Sequence, residues 1–219
     1  MSVLNYIFFC ITIYNNLVRD NYMKHLDIVI ATNNKHKIEE YKELFKDLDV
    51  NITSLKDEKI ISDPTEDGAT FEENALIKAK AIKDKTNKII LSDDSGISID
   101  MLGNDYPGIY SHRYQESLGG AKKANEIIVS KMPFSKAHYT CVIVIENYAK
   151  SPLIFKGYMY GKISSKVKGE HGFGYDPIFI PEGYNKTLGE LDDKTKNSIS
   201  HRANAISQFI KYLKENNSI

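Results

Sequence analysis

Cysteine is scarce in this 219-residue chain: Cys10 and Cys141 stand far apart in dissimilar settings. Two such residues support neither a disulfide framework nor a cysteine metal site, so a reducing compartment, the cytoplasm, is the default. Surplus charge is missing too, since 29 Lys+Arg balance 29 Asp+Glu. Non-specific nucleic-acid binding needs a cationic excess to displace counterions, so no nucleic-acid partner is expected. No hydrophobic run is long enough to cross a membrane: the most apolar window, Val3–Tyr14, has 12 residues, against the roughly 20 a spanning helix needs. No basic residue precedes that window, the first being Arg19, and no small-residue cleavage pattern follows it, so it does not read as a secretory signal. Internal repeats, low-complexity tracts and linkers are also missing.

What remains is a 42% hydrophobic, 26% charged composition. That excludes intrinsic disorder and fits one globular domain, or one domain with two lobes. Residues 1–22 read as an extension that the rest of the chain does not need, with an added strand or an oligomer contact as the alternatives. Strand-like pattern starts after Met23, where Leu26–Thr32 is a short β-branched run. Lys37–Leu48 then sets Ile38, Tyr41, Leu44, Phe45 and Leu48 at helical spacing. Val50–Leu55 returns to strand character, and Thr70 with Glu73 forms a capping box opening a helix to about Asp84. Lys88–Leu91 is apolar, is broken by Asp93-Asp94-Ser95-Gly96, and resumes at Ile97–Leu102. A helix follows Gly120, Tyr139–Glu146 and Leu153–Tyr160 pair as a hairpin, and a last helix runs from Ser200 to Lys214 with Ala203, Ile206, Ile210 and Leu213 inward. Strands interleaved with helices, with one hairpin, predict an α/β fold on a mixed sheet.

Four clusters carry chemistry. Thr32-Asn33-Asn34-Lys35-His36-Lys37 leaves the first strand and opens a helix, where free N–H groups and side-chain donors suit a phosphate. It lacks the glycines of a Walker A loop, and a polar strand-to-helix turn is the plainer reading. Asp93-Asp94 sets two carboxylates where burial is expected, which is costly unless a cation or donors compensate. One or two carboxylates plus substrate phosphates suit Mg²⁺, and strand alternation lets only one of the pair face it. A capping turn is the alternative, and Glu66 is a second carboxylate in a turn of its own. Gly172-Phe173-Gly174-Tyr175-Asp176-Pro177 joins flexible backbone, aromatics and an acid, as a stacked and edge-read base requires or as a glycine-rich loop with core aromatics. Ser200-His201-Arg202 puts a cation in a first helical turn, against the macrodipole, which is either an exposed arginine or a functional one.

Taken together, ATNNKHK, EDGATFEENALIKA, LSDDSGISID, PGIYSHRY, GFGYDPIF and KNSISHRANA resemble the inosine triphosphate pyrophosphatase family, house-cleaning enzymes for non-canonical purine nucleotides. The motifs occur in family order from Ile28 to Leu213, so the resemblance makes residues 23–219 a nucleoside triphosphate pyrophosphatase domain. It implies an elongated mixed sheet flanked by helices, two lobes around a nucleotide cleft, a homodimer, and Mg²⁺-dependent cleavage between the α- and β-phosphates of inosine, deoxyinosine and xanthosine triphosphates. By that resemblance Thr32, Asn34 and Lys37 grip phosphate, while Glu66 and Asp94 hold the metal and Asp94 is the general base. Ser95, Lys78 and Lys196 contact phosphate or sugar, and Phe173, Gly174, Tyr175 and Asp176 with His201 and Arg202 hold the base. Asn33 stands where family members often have glycine, and Asn tolerates that turn. A related enzyme for pyrimidine or modified nucleotides, or a non-catalytic nucleotide-binding module, are the rival readings; intact Glu66 and Asp94 speak against the second.

Overall fold

The computed structural model describes residues 25–103 and 105–216; the extension predicted at residues 1–22 lies outside them. Six strands form one sheet: β1 (Leu26–Ile30), β2 (Val50–Ser54), β3 (Ile89–Ile99), β4 (Lys136–Glu146), β5 (Leu153–Ile163) and β6 (Phe179–Pro181), in the order β2-β1-β3-β4-β5-β6. β1 runs parallel to β2 and β3, and every later pairing is antiparallel, so the sheet is mixed as expected. The helices are α1 (Lys35–Phe45), α2 (Phe71–Lys80), α3 (Ser111–Ser117), α4 (Ala121–Lys131), α5 (Asp193–Ile199) and α6 (His201–Glu215).

Alternation along β1 decides which helix covers which face. Ile28 and Ile30 join Leu91, Ile143 and Ile145 under Tyr41 and Phe45 of α1 and Phe209 and Leu213 of α6. Val29 and Ala31 point the other way and pack with Ile90 and Val144 against Ala75, Ala79 and Ile82. A separate cluster forms the second lobe, where Ile97, Ile99, Tyr139 and Ile163 meet Ile128 of α4, Phe179 and Leu188. Burying side chains of this size stabilises by about 1.5–3 kcal/mol each before entropy is counted.

Two expectations shift. Asp93-Asp94-Ser95-Gly96 does not break a strand: β3 continues through it, with Asp93 opposite Ile143 and Gly96 opposite Thr140. The carboxylates are tolerated because cations from three helices reach them, and Gly96 is required because a Cβ there would lie 2.2 Å from the Gly108 carbonyl oxygen. In the last helix the buried face is Arg202, Ala205, Ile206, Phe209 and Leu213, while Ala203 and Ile210 are only half-buried. Its start is as expected, with the Ser200 hydroxyl accepting from the Ala203 N–H at 3.0 Å.

Candidate active site

β1 pairs with β3 only as far as Leu91, and the next backbone bridge on that edge is Ser98 to Pro107, so among the described residues the stretch of β3 between them has no strand neighbour there. A cleft of about 720 Å³ opens there, reached by the β1–α1 turn, the loop before α2, strand β3 and the start of α6. Side chains from both faces of β3 therefore meet one space.

The β1–α1 turn brings Thr32, Asn34 and Lys37 to the cleft. Asn34 caps the helix, its Oδ1 accepting from the N–H groups of His36 (3.0 Å) and Lys37 (3.3 Å). Those two first-turn amides are therefore taken by the Asn34 cap. Lys37 Nζ lies 2.9 Å from Asp93 Oδ2.

The two aspartates part company, as strand alternation requires. Asp93 is fully buried on the α1/α6 side, between Lys37 and Arg202 Nη2 at 3.2 Å. Burial opposes its charge, but Lys37, Arg202 and Lys78 hold the carboxyl well below the usual range. Asp94 faces α2, where Asn74 Nδ2 donates to its Oδ2 at 3.0 Å and Lys78 Nζ stands 3.6 Å from its Oδ1. Here burial wins over Lys78 and Lys37, and the pKa is raised. Glu66, in the loop before α2, meets the same ammonium at 2.9 Å. Burial would lower the Lys78 pKa, but Asp93, Asp94 and Glu66 raise it. Ser95 shares the Asp93 face, and Arg202 Nη2 donates to its hydroxyl at 3.2 Å.

At the other end, Gly172 and Gly174 take positive φ (74° and 61°) and turn the Phe173 loop into the cleft. Phe173 stacks on His36 at 5.0 Å, and Lys196 Nζ is 4.8 Å from its ring centre. The Asp176 carboxylate is buried and spent on its own chain: its Oδ2 accepts from Lys196 (2.8 Å) and the Phe173 N–H (2.9 Å), and its Oδ1 from the Tyr139 hydroxyl (3.3 Å). It thus holds the loop rather than presenting a free edge. The Tyr175 hydroxyl donates to the Ser111 carbonyl at 2.7 Å. His201 stacks on Tyr139 at 4.6 Å, and burial, Arg202 and Lys196 push its pKa well down, so the ring is neutral. Its Nδ1 has no partner among the described residues.

Arg202 is neither exposed nor solvated. It is 1% accessible, and its guanidinium pairs with Glu40 as well as Asp93. Those two carboxylates answer the helix-dipole penalty at this position. Its Nε has no partner among the described residues.

The structure brings every residue expected at the site to the cleft. The sequence reading missed Glu40, Asn74, Asp93 as an anchor, and Tyr139. Helical spacing offered a signal for two of them: Glu40 lies three residues after Lys37 on α1, and Asn74 four before Lys78 on α2. Gly174 is held from below by Asn125 Nδ2, which donates to its carbonyl at 2.9 Å.

A family profile described as the Ham1 family matches residues 28–212. A dITP/XTP pyrophosphatase of Oceanobacillus iheyensis is 44% identical over 85% of this chain and 97% of its own length. A dITP/XTP pyrophosphatase of Sulfurimonas denitrificans is 47% identical over 82% of this chain and 94% of its own. Among solved structures, the Staphylococcus aureus Ham1 protein superposes with a TM-score of 0.73 at 35% identity, covering 87% of this chain and 99% of its own. A HAM1 protein from Coxiella burnetii gives 0.75 at 34%, with the same coverage. With the profile spanning nearly the whole described chain and the cleft assembled from its motifs, this protein belongs to the Ham1 family.

Proposed function

We propose that this protein hydrolyses non-canonical purine nucleoside triphosphates (dITP, ITP and XTP) to the monophosphate and pyrophosphate, clearing them from the nucleotide pool. The observation that carries the reading is the division of the Asp93-Asp94 pair: one aspartate is a fixed anchor for two cations, the other a raised-pKa carboxylate beside Lys78 and Glu66. A carboxylate with raised basicity, oriented by Asn74, suits a general base that takes a proton from an attacking water. The named relatives support the substrate class.

The donor set fits a divalent cation. Glu66 and Asp94 both reach one ammonium, so they are close enough to share a single positive centre. No ready-made cage of three or more His, Cys, Asp or Glu exists among the described residues, which suits Mg²⁺ held by one or two carboxylates and substrate phosphates. The cleft's ion pairs also set four cations (Lys37, Lys78, Lys196, Arg202) against five carboxylates (Glu40, Glu66, Asp93, Asp94, Asp176). A triphosphate entering that balance needs added positive charge, which a metal held by Glu66 and Asp94 would supply.

The chain's own groups do the rest. Lys37 and Thr32 grip the phosphate end, with Asn34 fixing the turn that presents them, and Lys78 and Ser95 contact phosphate or sugar. The base lies by the Phe173 loop, with Lys196, neutral His201 and Arg202 as the polar groups for its edge. Donors there favour a purine 6-carbonyl over the 6-amine of adenine, since an amine leaves two donors facing each other, at about 1–3 kcal/mol per unpaired group. The enzyme works in the cytoplasm as a homodimer, without nucleic-acid or membrane partners. Among the described residues no helix is long and apolar enough to cross a membrane.

The test is a panel of nucleoside triphosphates with Mg²⁺, measuring pyrophosphate and orthophosphate separately. Pyrophosphate from ITP, dITP and XTP, with little from ATP, is the expected result. Orthophosphate as the product, or ATP cleaved as fast as ITP, refutes the reading.

A further inference from the structure

Lys78 lies where a cation shared by Glu66 and Asp94 belongs. Its ammonium is 2.9 Å from Glu66 Oε2 and 3.6 Å from Asp94 Oδ1. The partners come from different segments, the loop before α2 and strand β3, and α2 carries the lysine between them. Asn74, one turn earlier on the same helix, takes the other Asp94 oxygen at 3.0 Å, and its own Oδ1 accepts from the Gly68 N–H at 2.9 Å, two residues after Glu66. The loop and the strand are thereby tied to α2, and the oxygens turned to the Lys78 ammonium are Glu66 Oε2 and Asp94 Oδ1, the latter also accepting from the Ser95 N–H at 3.0 Å. Lys78 holds both.

A divalent ion between the same carboxylates would stand within a few ångströms of that ammonium. In a site where the lysine side chain is 11% exposed, water screens the repulsion poorly. The lysine stem is flexible enough to swing aside, but leaving two carboxylates is favourable only when another anion receives the charge. Substrate phosphates are that anion, since Lys78 lines the same cleft as Lys37 and Thr32.

We propose that Lys78 competes with the divalent cation for Glu66 and Asp94, and so couples metal binding to nucleotide binding. The free protein binds the ion weakly; once phosphate oxygens draw the ammonium away, the same carboxylates bind it tightly. Linkage makes the effect reciprocal, so the ion strengthens nucleotide binding by the factor by which nucleotide strengthens binding of the ion. This rests on the reading above that Glu66 and Asp94 hold the metal.

The probe is Mn²⁺ alone, titrated calorimetrically into the wild type, Lys78→Met, Lys78→Arg and Glu66→Gln without nucleotide. Lys78→Met should bind Mn²⁺ at least about tenfold tighter than the wild type, the scale expected when a unit charge beside a dication is removed. Lys78→Arg keeps the charge and should stay weak, and Glu66→Gln should bind weakest. A second titration with an ITP analogue carrying a non-hydrolysable α,β-bridge should tighten Mn²⁺ binding strongly in the wild type and much less in Lys78→Met. Wild-type protein gives an independent readout if Lys78→Met folds poorly: acetylation of Lys78, followed by mass spectrometry, should speed up when Mn²⁺ is added alone. Mn²⁺ binding to Lys78→Met that is no tighter than to the wild type, while Glu66→Gln abolishes it, overturns the competition and leaves the metal assignment standing. Equal Mn²⁺ binding by the wild type and Glu66→Gln overturns the metal assignment itself, and the competition with it.

Discussion

Asp93 and Asp94 are neighbours in sequence, and replacing each with asparagine should have opposite consequences. Asp93 is fully buried and its carboxyl is held well below the usual range by Lys37, Arg202 and Lys78 against the cost of burial. Asp93→Asn leaves the Arg202 guanidinium and the Lys37 ammonium without the carboxylate they share, and breaking a buried pair from one side costs about 3–5 kcal/mol. For a domain of this size, each kcal/mol moves the melting temperature by about 2–4 °C, so a fall of roughly 6–20 °C is expected. Asp94 has a raised pKa because burial outweighs its cationic neighbours, so the fold gains little from its charge. Asp94→Asn keeps an oxygen for Asn74 and should melt within a shift equivalent to about 1 kcal/mol of wild type. Its turnover should instead drop by about 10²–10⁴-fold, the share usual for a general base. Thermal unfolding and pyrophosphate release from ITP, measured on both variants at neutral pH, decide the matter. A stable Asp93→Asn beside an unstable Asp94→Asn, or Asp94→Asn retaining more than about a tenth of the wild-type rate, refutes the division of roles.

His201 is neutral in the fold because burial, Arg202 and Lys196 lower its pKa, so the unfolded chain binds the extra proton first. Stability from this group is full above the unfolded value of about 6.5 and falls with pH below it, by up to about 1.4 kcal/mol per pH unit; urea unfolding at pH 7 and pH 5 should show a smaller loss in His201→Gln than in the wild type. The exposed His25, whose pKa Asp49 raises, acts with the opposite sign but is common to both proteins. Arg202→Ala should lower the melting temperature by stranding Glu40 and Asp93, and should cut kcat/KM for ITP by about 10–150-fold with little change for ATP, as loss of one charge-assisted bond to the 6-carbonyl predicts. Equal slowing of both nucleotides would leave Arg202 with the anchoring role alone. A chain begun at Met23 should match the full-length protein in melting temperature and rate; substantial loss of either would show that residues 1–22 pack against the domain.

The sequence by itself determined the periodicities and the chemical inventory. β-branched runs made β1 and the β4–β5 hairpin legible, and the Thr70 cap and the Ser200 cap marked where α2 and α6 begin. Side-chain alternation even indicated that only one of Asp93 and Asp94 could point at a metal, and in the structure the two turn to different partners, Asp93 to Lys37 and Asp94 to Lys78. Short elements escaped: α3 and α5 have seven residues each and β6 three, too few to display a period. The partners of the charged groups escaped as well, because an ion pair depends on where two distant segments are brought. Arg202 finds Glu40 from a position 162 residues away and Asp93 from 109. Continuity of β3 through two aspartates was likewise a tertiary outcome, for carboxylates break a strand only when nothing compensates them, and here α1, α2 and α6 each deliver a cation to the same few ångströms.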